Sequence, residues 1–450
     1  MNGTDTPMIY RDWTPRRCVL LMTICLAALS GSLLAQPPQV ISSNDASRVR
    51  RMLKDVYEAI KKNYYDKALH GLDWDARYKE YNDRIGKVPS LSTGLGLVAG
   101  FVDGLQDSHT YFEPPSWSKH VEYGYEVGIV GEVPYILSVT PGSDAAAKLH
   151  PGDRVLGLNG NQVSRESFSR MQYILNLLTP QVATEVAIRG PDGVERKELV
   201  QSKVVEGRAM TVIGGSDFST VIGDLERDME AARYAMRQRW AEIGDVLIWK
   251  MPSFLADDGE IDRVISQARK HSTLILDLRG NPGGYIVALQ RLVGSVFEQD
   301  QFVATRVTRA GRERLAAKTR GKNAFTGRLI VLIDSRSGSS AELFARVVQL
   351  EHRGEILGDR SAGAVMESRL FPFSQGTEVF LIYGASITSA DAIMKDGASL
   401  ERVGVTPDSV LLPTAEDLAT GRDPVLSHAA TLAGVALDPV AAAKLFQDKN

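Results

Sequence analysis

Four short stretches hold side chains whose types and spacing could break an amide bond. In LIVLIDSRSGSSAELFARVVQ, residues 329–349, Ser335, Ser337, Ser339 and Ser340 fall between a run of strand formers and an amphipathic helical pattern. A serine at such a junction sits at the positive end of a helix dipole, where free amides stabilise an alkoxide or a tetrahedral oxyanion. Helix starts are also where serine most often serves as an N-cap, so this stretch alone leaves nucleophile and cap unresolved. It is not a G-x-S-x-G elbow. In STLILDLRGNPGGY, residues 272–285, an apolar strand opens into a Gly-rich loop before a helix, an arrangement that presents backbone N–H groups to an anion. No Gly-Lys-Ser/Thr follows, which excludes a P-loop. In LQDSHTYFEPP, residues 105–115, His109 closes a helical segment beside small and polar residues. A lone histidine is more often structural than a general base. In KDGASLERVGVTPD, residues 395–408, Glu401 precedes a Gly-Val-Thr-Pro-Asp turn. There is no H-E-x-x-H pattern, so neither a metal nor a cofactor is implied.

The elements that must bring these stretches together follow from the chain's organisation. A length of 450 residues suggests roughly two to four domains. A net charge of −3 gives no footprint for nucleic acid or for electrostatic binding to a membrane surface. Arg11, Arg16 and Arg17 precede the apolar run CVLLMTICLAALSGSLLA, residues 18–35. Residues 1–35 therefore read as a secretory signal cut near Ala35 or as an uncleaved membrane anchor, since the run is close to bilayer length. Either reading exports the rest of the chain to a periplasmic or other extracytoplasmic compartment. Cys18 and Cys25 both lie in this segment, leaving the remainder with no disulfide and no thiol nucleophile.

A linker, 36–46, leads into a helical segment over 47–118, where VRRMLKDVYEAIKKNYYD and LSTGLGLVAGFVDGLQ place apolar residues at three- and four-residue steps until Pro114 and Pro115. Residues 119–204 alternate short strands with turns. Residues 205–430 alternate apolar strands with helices, the pattern of an α/β core, and 431–450 read as a C-terminal tail.

The string VTPGSDAAAKLHPGDRVLGLNGNQV, residues 139–163, makes the middle segment resemble a PDZ domain. That resemblance implies a peptide groove beside a φ-Gly-φ loop, matched by Val127, Gly128 and Ile129. Strand addition there would bind a chain terminus. A groove filled by the protein's own chain stays open as an alternative.

DSHT, the PDZ-like segment, LDLRGNPGG, GSSAE and LERVGVTPD occur in this order. Together they resemble the S41 peptidases, the family of C-terminal processing (tail-specific) proteases and the tricorn protease, over residues 50 to 430. The resemblance implies an α/β, ClpP/crotonase-like catalytic core with an inserted PDZ domain and an N-terminal helical segment. It places the nucleophile three residues before Glu342, at Ser339, with oxyanion donors at the backbone N–H groups of Ser340 and Gly283. The Ser–Lys members carry a lysine where this chain has Ala364, within GDRSAGAV, and Lys395 reads as a surface residue. The match is therefore to the tricorn-like set: Ser108, His109, Ser339 and Glu401. In that set His109 takes the Ser339 proton while Ser108 and Glu401 orient the imidazole. GNPGG also resembles the GNSGG of trypsin-like proteases, but Pro282 stands in the nucleophile's place.

The implied activity is that of an exported serine endopeptidase acting through an acyl-enzyme on protein or peptide substrates, with the PDZ recognising C-termini or gating the site. A catalytically silent PDZ-bearing binder on the same fold is the alternative. Oligomeric state is left open.

Overall fold

The structure, a computed structural model, describes residues 40–115, 119–206, 236–376 and 381–447. The candidate signal or anchor, residues 1–35, lies outside the described residues.

Three helices begin the described chain: α1 (Ser43–Asn63), α2 (Trp74–Ile85) and α3 (Leu91–Asp103). Each starts on a side-chain cap, from Ser42, Asp73 and Ser90 respectively, which satisfies an amide that has no partner within the helix. On α1, Val49, Met52, Leu53, Val56 and Ile60 form the buried stripe, at the spacing that marks one helical face. The helices do not stand as a separate body. β1 (Tyr111–Glu113) follows α3 and pairs with residues 384–386, and Tyr383, Ala385 and Ile387 complete the helices' own apolar core.

An inserted module comes next. Its first and last strands, β2 (Lys119–Glu122) and β9 (Lys203–Glu206), pair with each other and bring the two ends of the insertion together. Between them run β3 (Tyr125–Val130), β4 (Val133–Val139), β5 (Arg154–Leu158), the two-residue β6 (Asn161–Gln162), α4 (Arg165–Tyr173), β7 (Ala183–Arg189) and β8 (Glu195–Gln201). The sheet order is β3-β4-β5-β7-β8, so β3 is an edge strand. Ile136, Val155, Val186, Ile188 and Val200 fill its core.

The α/β core contains β10 (Arg239–Ile243), β11 (Val246–Lys250), α5 (Asp258–Ala268), β12 (Thr273–Asp277), α6 (Ile286–Val296), β13 (Gln301–Thr308), β14 (Gly311–Ala317), β15 (Arg328–Ile333), α7 (Ser340–Leu350), β16 (Glu355–Gly358), β17 (Glu367–Gln375), β18 (Leu381–Ile393), β19 (Ser409–Val410), α8 (Ala415–Ala419), α9 (Pro424–Leu432) and α10 (Pro439–Lys444). The main sheet runs β10-β11-β12-β15-β16-β19, parallel from β11 onward. Parallel strands are covered on both faces, which is why TLILD of β12 is buried at every position. Leu274, Leu276, Leu329 and Val331 face one apolar cluster, which includes residues of α5, α6 and α7. Ile275, Ile330 and Leu332 face another, shared with α9 and α10.

Residues 431–447, which read as a tail in the sequence, are part of this second face. Ala442 is buried there, Leu445 and Phe446 pack beside it, and Arg239 Nη1 donates to the Phe446 carbonyl at 2.6 Å. Alanines and a short helix give a weak periodic signal, so the packing was hidden in a segment of low pattern. A second sheet, β1-β18-β13-β14 with β17 added on β18, joins the helical segment to the core.

Candidate active site

The Gly-rich loop and α7 both leave the carboxyl ends of adjacent parallel strands, β12 and β15, where α/β sheets open a crevice. Buried ion pairs hold this edge. Arg279 pairs with Asp277 and Asp423, each contact at 2.8 Å, and Lys250 Nζ donates to the Arg279 carbonyl at 2.6 Å. Asp334 accepts the Gly280 N–H at 2.8 Å, tying the Gly loop to the serine loop.

The four serines separate by what their hydroxyls do. Ser335 Oγ donates to the Ile129 carbonyl at 2.5 Å. Ser337, fully buried, donates to the Leu278 carbonyl at 2.9 Å. Ser340 Oγ donates to the Gly284 carbonyl at 3.1 Å. Ser339 and Glu342 face each other's amides as in a capping box, but the Glu342 amide bonds the Ser339 carbonyl at 2.9 Å, which leaves Ser339 Oγ without a close cap hydrogen bond. Ser339 is half-buried and held at φ 51°, ψ −119°, a conformation that costs a non-glycine residue about 1–3 kcal/mol and persists only when its surroundings impose it.

Two acceptors impose it. The Ser339 N–H is shared between the Ala364 carbonyl at 2.7 Å and Glu342 Oε2 at 3.0 Å. Glu342 is fully buried, and its carboxylate also accepts Ser361 Oγ–H at 2.6 Å, Gly363 N–H at 2.7 Å and Ala364 N–H at 2.8 Å. Burial pushes its carboxyl up to about 7, against the pull of these donors.

Ser108 and His109 stand on the turn between α3 and β1. Asp107 shapes this turn. Its Oδ1 accepts the amides of His109 and Thr110 at 2.9 and 2.6 Å and the Thr388 hydroxyl at 2.9 Å, while Oδ2 accepts the Tyr64 hydroxyl at 2.7 Å. Glu401 arrives from 293 residues away and takes the Ser108 N–H at 2.8 Å and the Ser108 Oγ–H at 2.9 Å. Ser108 Oγ lies 2.7 Å from His109 Nδ1. With the Ser108 proton directed to Glu401, Nδ1–H must be the donor to Oγ, so Nε2 carries the lone pair and is free to act as a base. Glu401 acts through Ser108 and not by direct contact with the ring. Burial lowers the His109 pKa, with the Asp107 charge opposing. Burial raises that of Glu401, with the Ser108 and Val365 donors opposing.

One peptide unit links the two halves. The Ala364 carbonyl accepts the Ser339 N–H, and the Val365 N–H of the same unit donates to Glu401 Oε2 at 3.1 Å. The dimensions of a peptide bond then put the Ser339 nitrogen within about 8 Å of the Glu401 carboxylate. No hydrogen bond joins His109 to Ser339 among the described residues. Ala364 thus sits directly against the serine, while Lys395 is on the surface and paired with Glu351 at 2.7 Å.

Two expectations need correction. The Gly283 N–H, expected in the oxyanion hole, donates to Asn281 Oδ1 at 2.8 Å. Beside Ser339, the amides of Ser340 and the next glycine, Gly284, have no acceptor among the described residues. Gly283 matters sterically: a Cβ there would fall 2.6 Å from Ser339 Cβ and 3.0 Å from the Ser340 nitrogen. Val127, Gly128 and Ile129, expected to form the peptide-binding loop, lie within strand β3, paired with Ile136, Tyr135 and Pro134 of β4. The apolar-Gly-apolar pattern is equally suited to a strand whose glycine admits the Leu137 side chain, 2.3 Å from where a Cβ would stand.

Sequence reasoning passed over Asp107, Glu342 as a site residue, and Arg165. The first lies inside DSHT and the second inside GSSAE, so proximity to the motif was the available signal. Arg165 has none, since its partners are the side chain of Asp359 and backbone carbonyls remote in sequence.

The chain is similar to known proteins along most of its length. Residues 245–411 match the family model for peptidase family S41, and residues 46–90 match that of the tricorn protease C1 domain. The tail-specific protease of Haemophilus influenzae is 24% identical over 319 residues, which are 67% of this chain and 43% of that protein. The "Probable CtpA-like serine protease" of Staphylococcus epidermidis is 19% identical over 414 residues, 89% of this chain and 73% of that protein. The solved structure of mature CPAF complexed with lactacystin superposes with a TM-score of 0.63 at 16% identity, covering 84% of this chain and 96% of that one, a likeness of fold.

Proposed function

The chain belongs to peptidase family S41 and is a serine-type peptidase, and on that premise we propose that it cleaves peptide bonds in protein substrates with Ser339 as nucleophile and His109 as base. The observation that carries this reading is the hydrogen-bonded run Glu401–Ser108–His109, which fixes the tautomer that leaves Nε2 as an acceptor. Ser339 Oγ attacks the scissile carbonyl carbon and its proton passes to His109 Nε2. The oxyanion is received by the free N–H groups of Ser340 and Gly284. Collapse breaks the C–N bond, the amine takes the proton from His109, and water, deprotonated by His109, releases the acyl group. Because His109 and Ser339 make no hydrogen bond here, the pair must close when substrate binds, as catalytic contacts often do.

The inserted module acts as a PDZ domain that receives substrate tails by strand addition along the outer edge of β3, beyond the part that the core already bonds, and is coupled to the site. Supporting the coupling, the nucleophile loop already touches that edge through Ser335 and the Ile129 carbonyl. Export follows from the basic and apolar N-terminus.

The test is labelling by a serine-directed fluorophosphonate together with digestion of an unfolded protein. Wild type should be labelled at Ser339 and digest its substrate, and Ser339→Ala should do neither while folding normally. A chain that takes no label with or without tail peptide, yet binds such peptides, would be the silent binder instead.

A further inference from the structure

The surroundings of Glu342 exceed what a helix start requires. In α5 a capping box does the same local task with Asp257 and Glu260, side chains that stay open to solvent. A cap of this kind contributes about 0.5–2 kcal/mol. Glu342 is instead fully buried, and taking a carboxylate out of water costs several kcal/mol unless its lone pairs are filled. They are filled, two donors to each oxygen, and three of the four donors come from a loop 19 to 22 residues further along: Ser361 Oγ, Gly363 N and Ala364 N. The fourth is the amide of Ser339 itself.

We propose that Glu342 is a positioning residue for peptide hydrolysis, whose carboxylate sets Ser339 against the 361–365 loop and through it against Glu401. The loop is the shared part. Its Ala364–Val365 peptide unit binds Ser339 at one end and Glu401 at the other, so the carboxylate that locates Ala364 also locates the anchor of the His109 relay. Ser361 is held from its other side as well, its Oγ accepting the Val405 amide at 2.6 Å, which joins the loop to the Glu401 turn. A glutamine cannot replace this carboxylate, because one of its ends would be an NH₂ facing two donors. The strained backbone of Ser339 requires support from outside the helix, and Glu342 with Ala364 supplies it.

The inference rests on Ser339 being the nucleophile, and the experiment separates the two. Glu342→Gln and Ser361→Ala are compared with wild type for kcat and KM on an unfolded protein and for the rate of fluorophosphonate labelling, well below each variant's melting temperature. Glu342→Gln should lose about 100-fold in kcat and in labelling rate, the scale of a misplaced reacting group, with KM within about threefold of wild type. Ser361→Ala, which removes one donor and keeps the carboxylate, should lose about threefold to tenfold in both. A folded Glu342→Gln with wild-type kcat and labelling overturns the proposal. If that variant does not fold, Ser361→Ala decides, and wild-type rates in it overturn the proposal. Absence of label in the wild type overturns the nucleophile assignment on which both stand.

Discussion

His109 owes its chemistry to groups that fix its ring and its charge from different directions. Ser108 takes the Nδ1 proton, and Asp107, holding the His109 backbone at 2.9 Å, lends a negative charge that opposes the desolvation of the ring. Desolvation is the larger effect, so the folded pKa lies below the ordinary value near 6.5. The sign follows directly. A base must be neutral, so the limb of kcat/KM that belongs to His109 should have its midpoint below 6.5, beneath the limb near 7 that ionisation of the Glu342 carboxyl imposes. The same depressed pKa means that folding stability is lost as pH falls from 6.5 through the folded value, because the unfolded chain binds the proton more readily. Asp107→Asn keeps Oδ1 for its three donors and removes the charge. It should move the acid limb to still lower pH. A pH–rate profile whose His109 limb moves upward in that variant would contradict this assignment of the base.

At the level of elements, two loops at the ends of β12 and β15 touch so closely that a single methyl group would part them. Gly283 has φ +99°, and its missing Cβ leaves the space taken by Ser339 Cβ and the Gly338 carbonyl. Gly283→Ala should therefore cost about 1–3 kcal/mol of stability and about 100-fold in kcat, because the displaced atom is the one carrying the nucleophile. Gly434→Ala also has a positive φ, +84°, but meets nothing within 4 Å. It should lower the melting temperature by a smaller amount and leave kcat unchanged, so thermal melts with kinetics on both variants check the claim. Equal kcat in the two variants would contradict it. This contrast also marks what is legible in the chain itself. Alternating strands and helices, the motif order and the side-chain types at Ser108, His109, Ser339 and Glu401 are local properties of the sequence. Which glycine amide is free is not, since Asn281 decides it by bonding Gly283. Nor is the reach from Ser108 to Glu401, a separation of 293 residues that only the fold can close.

Across the whole molecule, the inserted module and the core meet at Arg165. Lying at the start of α4, it is 11% exposed and donates to the Gly131 carbonyl at 2.6 Å within the module. On the core side it donates to the Ser361 carbonyl at 3.0 Å and the Arg360 carbonyl, and pairs with Asp359 at 3.4 Å. The same Asp359 accepts the Gly131 amide at 2.8 Å, so the end of the module's edge strand is held between the core's Asp359 and the module's own Arg165. Ser361 is the residue whose hydroxyl reaches Glu342, which puts the module two hydrogen-bonded steps from the carboxylate that sets Ser339. A lysine at 165 would keep the charge but lose the planar fork that serves several acceptors at once. Arg165→Lys should therefore lower kcat by about tenfold, the scale of one or two lost charge-assisted hydrogen bonds, while the Kd for a tail peptide measured by calorimetry stays within about twofold of wild type. Unchanged kcat would mean that the joint carries no information to the site. A parallel loss of peptide affinity would instead place Arg165 in the binding groove, and the module would then act by capturing substrate rather than by bearing on the loop that holds the nucleophile.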